Sequence, residues 1–150
     1  MLRGAPQFGG CSSTAQYVLS KQRNNAYVGV CFGWGLSLVF AVYGGFHISG
    51  SHLNPAVSLF LLTMGRISVL RFVVYSGAQI FGAFVGAMIT YFLYFDALNF
   101  YDGGTRQVTG PYATASIFAT YPQNYLSLGG GLIDQVHFLE MLRKRPKRNQ

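Results

Sequence analysis

His47-Ile48-Ser49-Gly50-Ser51-His52-Leu53-Asn54-Pro55-Ala56-Val57-Ser58-Leu59-Phe60 is the stretch on which the reading of this chain turns. It opens with small, flexible residues and closes in an apolar run. Asn54 is a favoured helix N-cap. Pro55 suits the first helical position, where the N–H it lacks has no intrahelical partner. The apolar run ends at Gly65-Arg66, so the helix predicted over about 55–64 reaches roughly 14 Å, half a bilayer's hydrocarbon core. Irregular backbone at membrane depth is tolerated only where protein covers it or where it lines a watery cavity. A half-length helix entered through such a loop presents free N–H donors and a positive dipole end. That is a pore feature.

The flanks fit a membrane setting. Ala26 to Phe46 and Phe72 to Phe95 are uncharged runs of about 21 and 24 residues, each long enough to span. Gly29, Gly33, Ser37, Ala41 and Gly45 recur every four residues, as do Ala78, Gly82, Gly86 and Thr90. Such small-residue faces let neighbouring helices approach closely in lipid. Gln79 is the strongly polar side chain of the second run and is expected to hydrogen-bond a neighbouring helix. Hydrophobic residues make up 51% of the 150 and charged residues 10%, a membrane-like balance. The net charge of +7 is concentrated at the end, in Arg143-Lys144-Arg145-Pro146-Lys147-Arg148. No secretory signal is expected, since no small-residue cleavage site follows an early apolar segment. Met1 to Gly10 reads as neither a span nor a targeting signal.

At Ser49-Gly50-Ser51-His52-Leu53-Asn54-Pro55-Ala56-Val57 the chain resembles the first NPA box of the aquaporin (major intrinsic protein) family. The usual form has Ala in place of Ser51, a small-for-small change. Thr109-Gly110-Pro111-Tyr112-Ala113-Thr114-Ala115-Ser116-Ile117-Phe118-Ala119-Thr120-Tyr121-Pro122 resembles the extracellular loop of the glycerol-conducting branch, the aquaglyceroporins. Gly10 to Ser20 resembles the outer end of the family's first membrane helix, and Leu132 to Val136 the start of its fourth.

The resemblance implies an all-α membrane protein: a partial aquaporin-like bundle, one inverted-repeat half with a re-entrant half-helix. Residues 1–136 would form the N-terminal half of such a channel, with an incomplete first span. Its extracellular loop would cover about 96–131, and 137–150 would be a divergent basic tail. The loop from Gly65 to Arg71 would be cytoplasmic. Asn54, Pro55 and Ala56 would form the pore box, with the Asn54 NH₂ offered to a passing hydroxyl. The carbonyls of Gly50, Ser51 and His52 would line the pore. Trp34, twenty residues before Asn54, would be the aromatic of the selectivity filter; by composition alone it reads equally as a lipid-facing or core ring.

Other chemistries have little to stand on. His47 and His52 lack a Cys or carboxylate partner at metal-ligand spacing, and no nucleophile elbow accompanies the serines. Neither an enzyme, a catalytic residue, a metal nor a cofactor is expected. Cys11 and Cys31 read as packing residues. The basic tail lacks the interleaved aromatics of single-strand binders, so nucleic acid is not an expected partner, and the tail reads as a solvated or anionic-lipid-binding end. The function implied is passive permeation of glycerol, water and other small neutral solutes across a lipid bilayer, by inference the plasma membrane. A completed protein would be a homotetramer. These 150 residues alone are expected not to conduct. The alternative is a non-conducting assembly or regulatory partner of full-length channel subunits.

Overall fold

The structure, a computed structural model, describes residues 3–121, 125–127, 129–131 and 133. Its helices are α1 (Gly4–Leu19), α2 (Tyr27–Ser49), α3 (Pro55–Thr63), α4 (Val69–Leu93) and α5 (Phe95–Asp102), followed by a 3-10 turn at Ala115–Ile117. No strand occurs among the described residues. The all-α architecture with a half-length helix is thus as expected.

α1 is the centre of the bundle, with α2 and α4 packed on it and α3 packed on α4. It starts at Gly4, within the stretch that reads in sequence as neither a span nor a targeting signal. Glycine-rich sequence is a poor helix former in isolation, and what holds this turn is close approach. A side-chain carbon at Gly86 would overlap the backbone of Gly4, and one at Gly10 would overlap the Trp34 indole. Pro6 lies in the first turn, where its missing N–H is tolerated. The 16 residues of α1 reach roughly 24 Å, short of a full hydrocarbon core.

The small-residue faces do what their spacing predicts. Ala41 and Gly45 of α2 are buried, and a carbon added at Gly33 would collide with Ser13 of α1. On α4 the buried face is Gln79, Gly82, Gly86 and Thr90; Ala78 falls off it and is exposed. The Thr90 hydroxyl joins the helices through Phe8 O, at 3.3 Å, and its own Gly86 O, at 3.2 Å.

Both long helices run beyond their expected ends. α2 continues to Ser49 and stops at Gly50, whose φ of +71° is the left-handed C-cap glycine favours. α4 starts at Val69 because the Ser68 hydroxyl accepts from Arg71 N at 3.4 Å, which brings Arg71 out of the loop and into the first turn. Only 17% of the apolar length of each is buried inside the chain. Phe40, Phe81 and Phe84 stand 72%, 63% and 62% exposed. The core helices of a soluble domain would hide such rings; lipid or further protein must cover these.

The expected loop from 96 is structured at its start. α5 is held by Leu98, which packs with Ala15 and Ile117 against Val18, Tyr91 and Phe118. Beyond it, Arg106 Nη1 reaches both carboxylate oxygens of Asp102, at 2.8 and 2.9 Å, while Nη2 donates to Asn99 Oδ1 at 2.8 Å. From Thr120 the chain belongs to a second unit, in which Gly131 N donates to Ser127 O at 2.9 Å. The expected start of a fourth helix lies there, with only Ile133 of Leu132 to Val136 described; the basic tail lies outside the described residues.

Candidate functional site

The loop between α2 and α3 is short and strained. Ser51 and Leu53 have φ of +47° and +50°, in the left-handed region that non-glycine residues rarely occupy. Such backbone persists only where its surroundings hold it. Ser51 Oγ donates to Val42 O at 2.9 Å, back onto α2. Leu53 is buried, 9% exposed. Asn54 N donates to His52 O at 2.6 Å, closing a tight turn immediately before the helix.

α3 then begins as the sequence predicts. Asn54 is its N-cap, with Oδ1 accepting from Ala56 N at 3.0 Å, and Pro55 occupies the first helical position. With Oδ1 committed to the cap, the NH₂ group of the exposed Asn54 makes no hydrogen bond among the described residues. Asn54 and Ala56 are exposed and Pro55 is half-buried. The carbonyls of Gly50 and Ser51 accept no hydrogen bond from the described residues, whereas His52 O already serves Asn54 N. Of the three carbonyls expected to face a pore, two are unengaged and the third has one lone pair left.

What fixes this arrangement is a polar cluster on the other side of α3. Ser58 is fully buried; its Oγ lies 3.1 Å from His52 Nδ1 and accepts from Gln79 Nε2 at 3.1 Å. The His52 ring meets Tyr75 edge to face, with centroids 5.4 Å apart. Loop, half-helix and α4 are therefore tied through one hydroxyl. Gln79 acts between helices, as expected. Ser58 and Tyr75 were not legible as site residues. The one signal was a serine standing in an otherwise apolar half-helix, four residues after its cap.

Trp34 sits elsewhere. Its indole lies over Gly10 of α1 and its Nε1 donates to Thr14 Oγ1 at 3.2 Å, with 37% of the side chain still exposed. Sixteen residues of α2, roughly 24 Å of helix, separate it from Gly50. The structure thus gathers Gly50, Ser51, His52, Asn54, Pro55 and Ala56 into one element and leaves Trp34 farther along α2. Among the described residues no three His, Cys, Asp or Glu side chains converge as a metal site would need.

The sequence profile named Major intrinsic protein matches residues 7–139. The chain is 46% identical over 127 residues to aquaporin-9 of Rattus norvegicus, covering 85% of this chain and 43% of that protein. It is 44% identical over 124 residues to aquaporin-10 of Homo sapiens, covering 83% and 41%. It is 40% identical over 126 residues to aquaglyceroporin-2 of Rhizophagus irregularis, covering 84% and 40%. The chain thus spans less than half the length of these relatives.

Proposed function

Because the chain belongs to the major intrinsic protein family, a family of membrane channels and not of enzymes, we propose that its Gly50–Ala56 element is one half of a transmembrane conduit for water and small neutral solutes, glycerol among them. The observation that carries this is the state of Asn54. Its carbonyl oxygen is spent on the helix cap at 3.0 Å, so its NH₂ group is held rigidly as a donor. Beside it stand the unengaged carbonyls of Gly50 and Ser51. A hydroxyl-bearing solute both donates and accepts, and this element offers it both partners in fixed positions. Exchange of the hydration shell for these groups costs little, while the positive end of α3 opposes cations.

The finer reading follows the aquaglyceroporin relatives. The loop around Gly65 to Arg66 faces the cytosol and the stretch from Thr109 to Tyr121 faces outside. Trp34 supplies an apolar ring to the filter, and its exposed part is what a polyol's C–H face would meet. The completed protein works as a homotetramer in the plasma membrane.

One experiment tests the core of this. The purified 150-residue chain, and a chimera joining residues 1–136 to the second half of a curated relative, are reconstituted in vesicles. Glycerol flux is followed by stopped-flow light scattering. The chimera is expected to conduct and the chain alone is not. α3 alone reaches roughly 13 Å, leaving its polar end unpartnered at mid-membrane, where each unsatisfied group costs several kcal/mol. A correctly inserted, helical chimera that passes no more glycerol than empty vesicles would overturn the proposal.

A further inference from the structure

Trp34 is held at two points by α1. Its ring atoms Cδ2, Cε2 and Cε3 lie so close over Gly10 that a side-chain carbon there would overlap them. Its Nε1 donates to Thr14 Oγ1 at 3.2 Å. An indole N–H can only donate, so Thr14 accepts, and its own hydroxyl hydrogen goes to Gly10 O at 2.9 Å. Gly10 and Thr14 stand four residues apart on α1 and so share a face. The bond back to Gly10 O, with the stiffness of a β-branched side chain on a helix, fixes where that acceptor points. Indole, hydroxyl and carbonyl thus form one short chain of bonds.

The chemical consequence lies in what the ring has left to offer. Indole carries one polar hydrogen, and Thr14 takes it. The part of Trp34 that remains exposed, 37%, therefore has no hydrogen to donate. A polyol can turn carbon-bound hydrogens to such a wall and its hydroxyls elsewhere. Urea is of similar size but polar around its whole edge, so against the same wall it leaves a group without a partner, which costs free energy. Freeing the N–H would give the wall a donor and release the ring from its seat.

We propose that Thr14 is a positioning residue for selectivity. By taking the Trp34 N–H it keeps the ring an apolar wall, and so favours polyols over small solutes that are polar all round, such as urea. This rests on the reading of Trp34 as a filter ring and goes beyond it, since Thr14 acts only through that ring.

The direct test is spectroscopic and independent of flux. Trp34 is the only tryptophan of the 150 residues, so the indole bands of the full chain in nanodiscs report on it alone. Thr14→Val keeps the shape of threonine without the acceptor, and is expected to shift the ultraviolet resonance Raman band that reports indole N–H hydrogen bonding. Thr14→Ser is expected to leave it in place. Thr14→Ala takes the place of Thr14→Val if the latter loses its helical signal. An unshifted band in the helical variant overturns the proposal.

Selectivity is read in the chimera as the ratio of glycerol to urea flux. Loss of one hydrogen bond is worth about a factor of five, so Thr14→Val should lower the ratio about fivefold and Thr14→Ser should preserve it. In a Trp34→Phe background, which has no N–H to hold, Thr14→Val should add nothing. An undiminished ratio in Thr14→Val, or an equal fall in the Trp34→Phe background, overturns the proposal and spares the filter reading where Trp34→Ala does alter the ratio. A ratio that Trp34→Ala leaves unchanged removes the filter reading, and this proposal with it.

Discussion

Ser58→Ala is the substitution that most directly tests how the Gly50–Ala56 element is held. The hydroxyl is fully buried and lies 3.1 Å from both His52 Nδ1 and Gln79 Nε2. Its removal strands a ring nitrogen and an amide donor beside the buried Ser58 position. Each orphaned group costs about 1–3 kcal/mol, so roughly 2 kcal/mol is a conservative total after local relaxation. The change is confined to the contact between α3, its loop and α4, and leaves α1 and α2 untouched. The loss should therefore appear as local opening rather than global unfolding. At about 1.4 kcal/mol per factor of ten, the half-helix should open roughly 30-fold more often. Hydrogen exchange of the chain in nanodiscs, resolved at Val57 to Phe60, measures this against the amides of α2. A second arm uses Gln79→Met in the Ser58→Ala background. Replacing both partners by apolar groups restores much of the protection if the penalty is an unsatisfied donor. Exchange at Val57 to Phe60 unchanged by Ser58→Ala would refute the anchoring argument. So would a double variant that opens by the sum of its parts.

Three further outcomes are expected. Asn54→Asp keeps the oxygen that caps α3 and loses the NH₂ donor, so exchange protection of α3 should persist while glycerol flux of the chimera collapses; Asn54→Ala should lose flux and about 1 kcal/mol of α3 stability together. Gly86→Ala puts a carbon against the Gly4 backbone and should cost about 1–3 kcal/mol in chemical denaturation by forcing α1 off α4, whereas Gly77→Ala, which meets open space, should be neutral or stabilising. Arg106→Gln removes the bidentate pair with the buried Asp102 and should weaken the anchoring of the stretch after α5 by about 2 kcal/mol, read as faster proteolysis between Gly103 and Gly110; an unchanged cleavage rate would show that the Leu98 cluster alone suffices.

The parts legible in the sequence are those fixed by neighbours along the chain. The half-helix was readable because its cap, its proline and its length all lie within a dozen residues. The two spans were readable from length and lack of charge, yet their ends were not. Composition changes at Phe46 and Phe72, but a helix ends where its hydrogen bonds are completed, at Gly50 for α2 and at Ser68 for α4. The first turns of α1 and the whole of α5 were missed for the opposite reason. The local signals there are weak, Pro6 in the one and Asp96 with the Gly103 C-cap in the other, and what holds them is the fit of Gly4 against α4 and of Leu98 against Ala15 and Ile117. In the site, Gly50, Ser51 and His52 were named through the family resemblance, and Asn54 through its capping pattern as well. Ser58 was not, because a serine among aliphatic residues is informative only once Gln79, 21 positions away, is known to face it. For Trp34 the spacing to Asn54 gave a position and the fold gave a neighbour, Thr14, that spacing could not supply.

The strain in the loop and the cluster behind it answer one requirement. A conduit that replaces a solute's water with carbonyls and an amide gains nothing if the solute must first order those groups, since the ordering cost then reappears in the barrier. Two non-glycine residues at positive φ cost about 1–2 kcal/mol each, and an isolated loop would relax out of them. Here the relaxation is opposed at every position: Ser51 is tied to Val42, Leu53 is buried, His52 is bonded to Ser58, and Asn54 is committed to its own cap. None of these ties uses the Asn54 NH₂ group or the carbonyls of Gly50 and Ser51. Groups that hold the loop are thus chemically distinct from groups left free to meet a solute. That separation is what a packed core turn would not need, since in a core the free groups would be the ones left unsatisfied. A strained, polar loop held in this way is what the proposed conduit requires, since a solute passing along it would meet a donor and acceptors already in place.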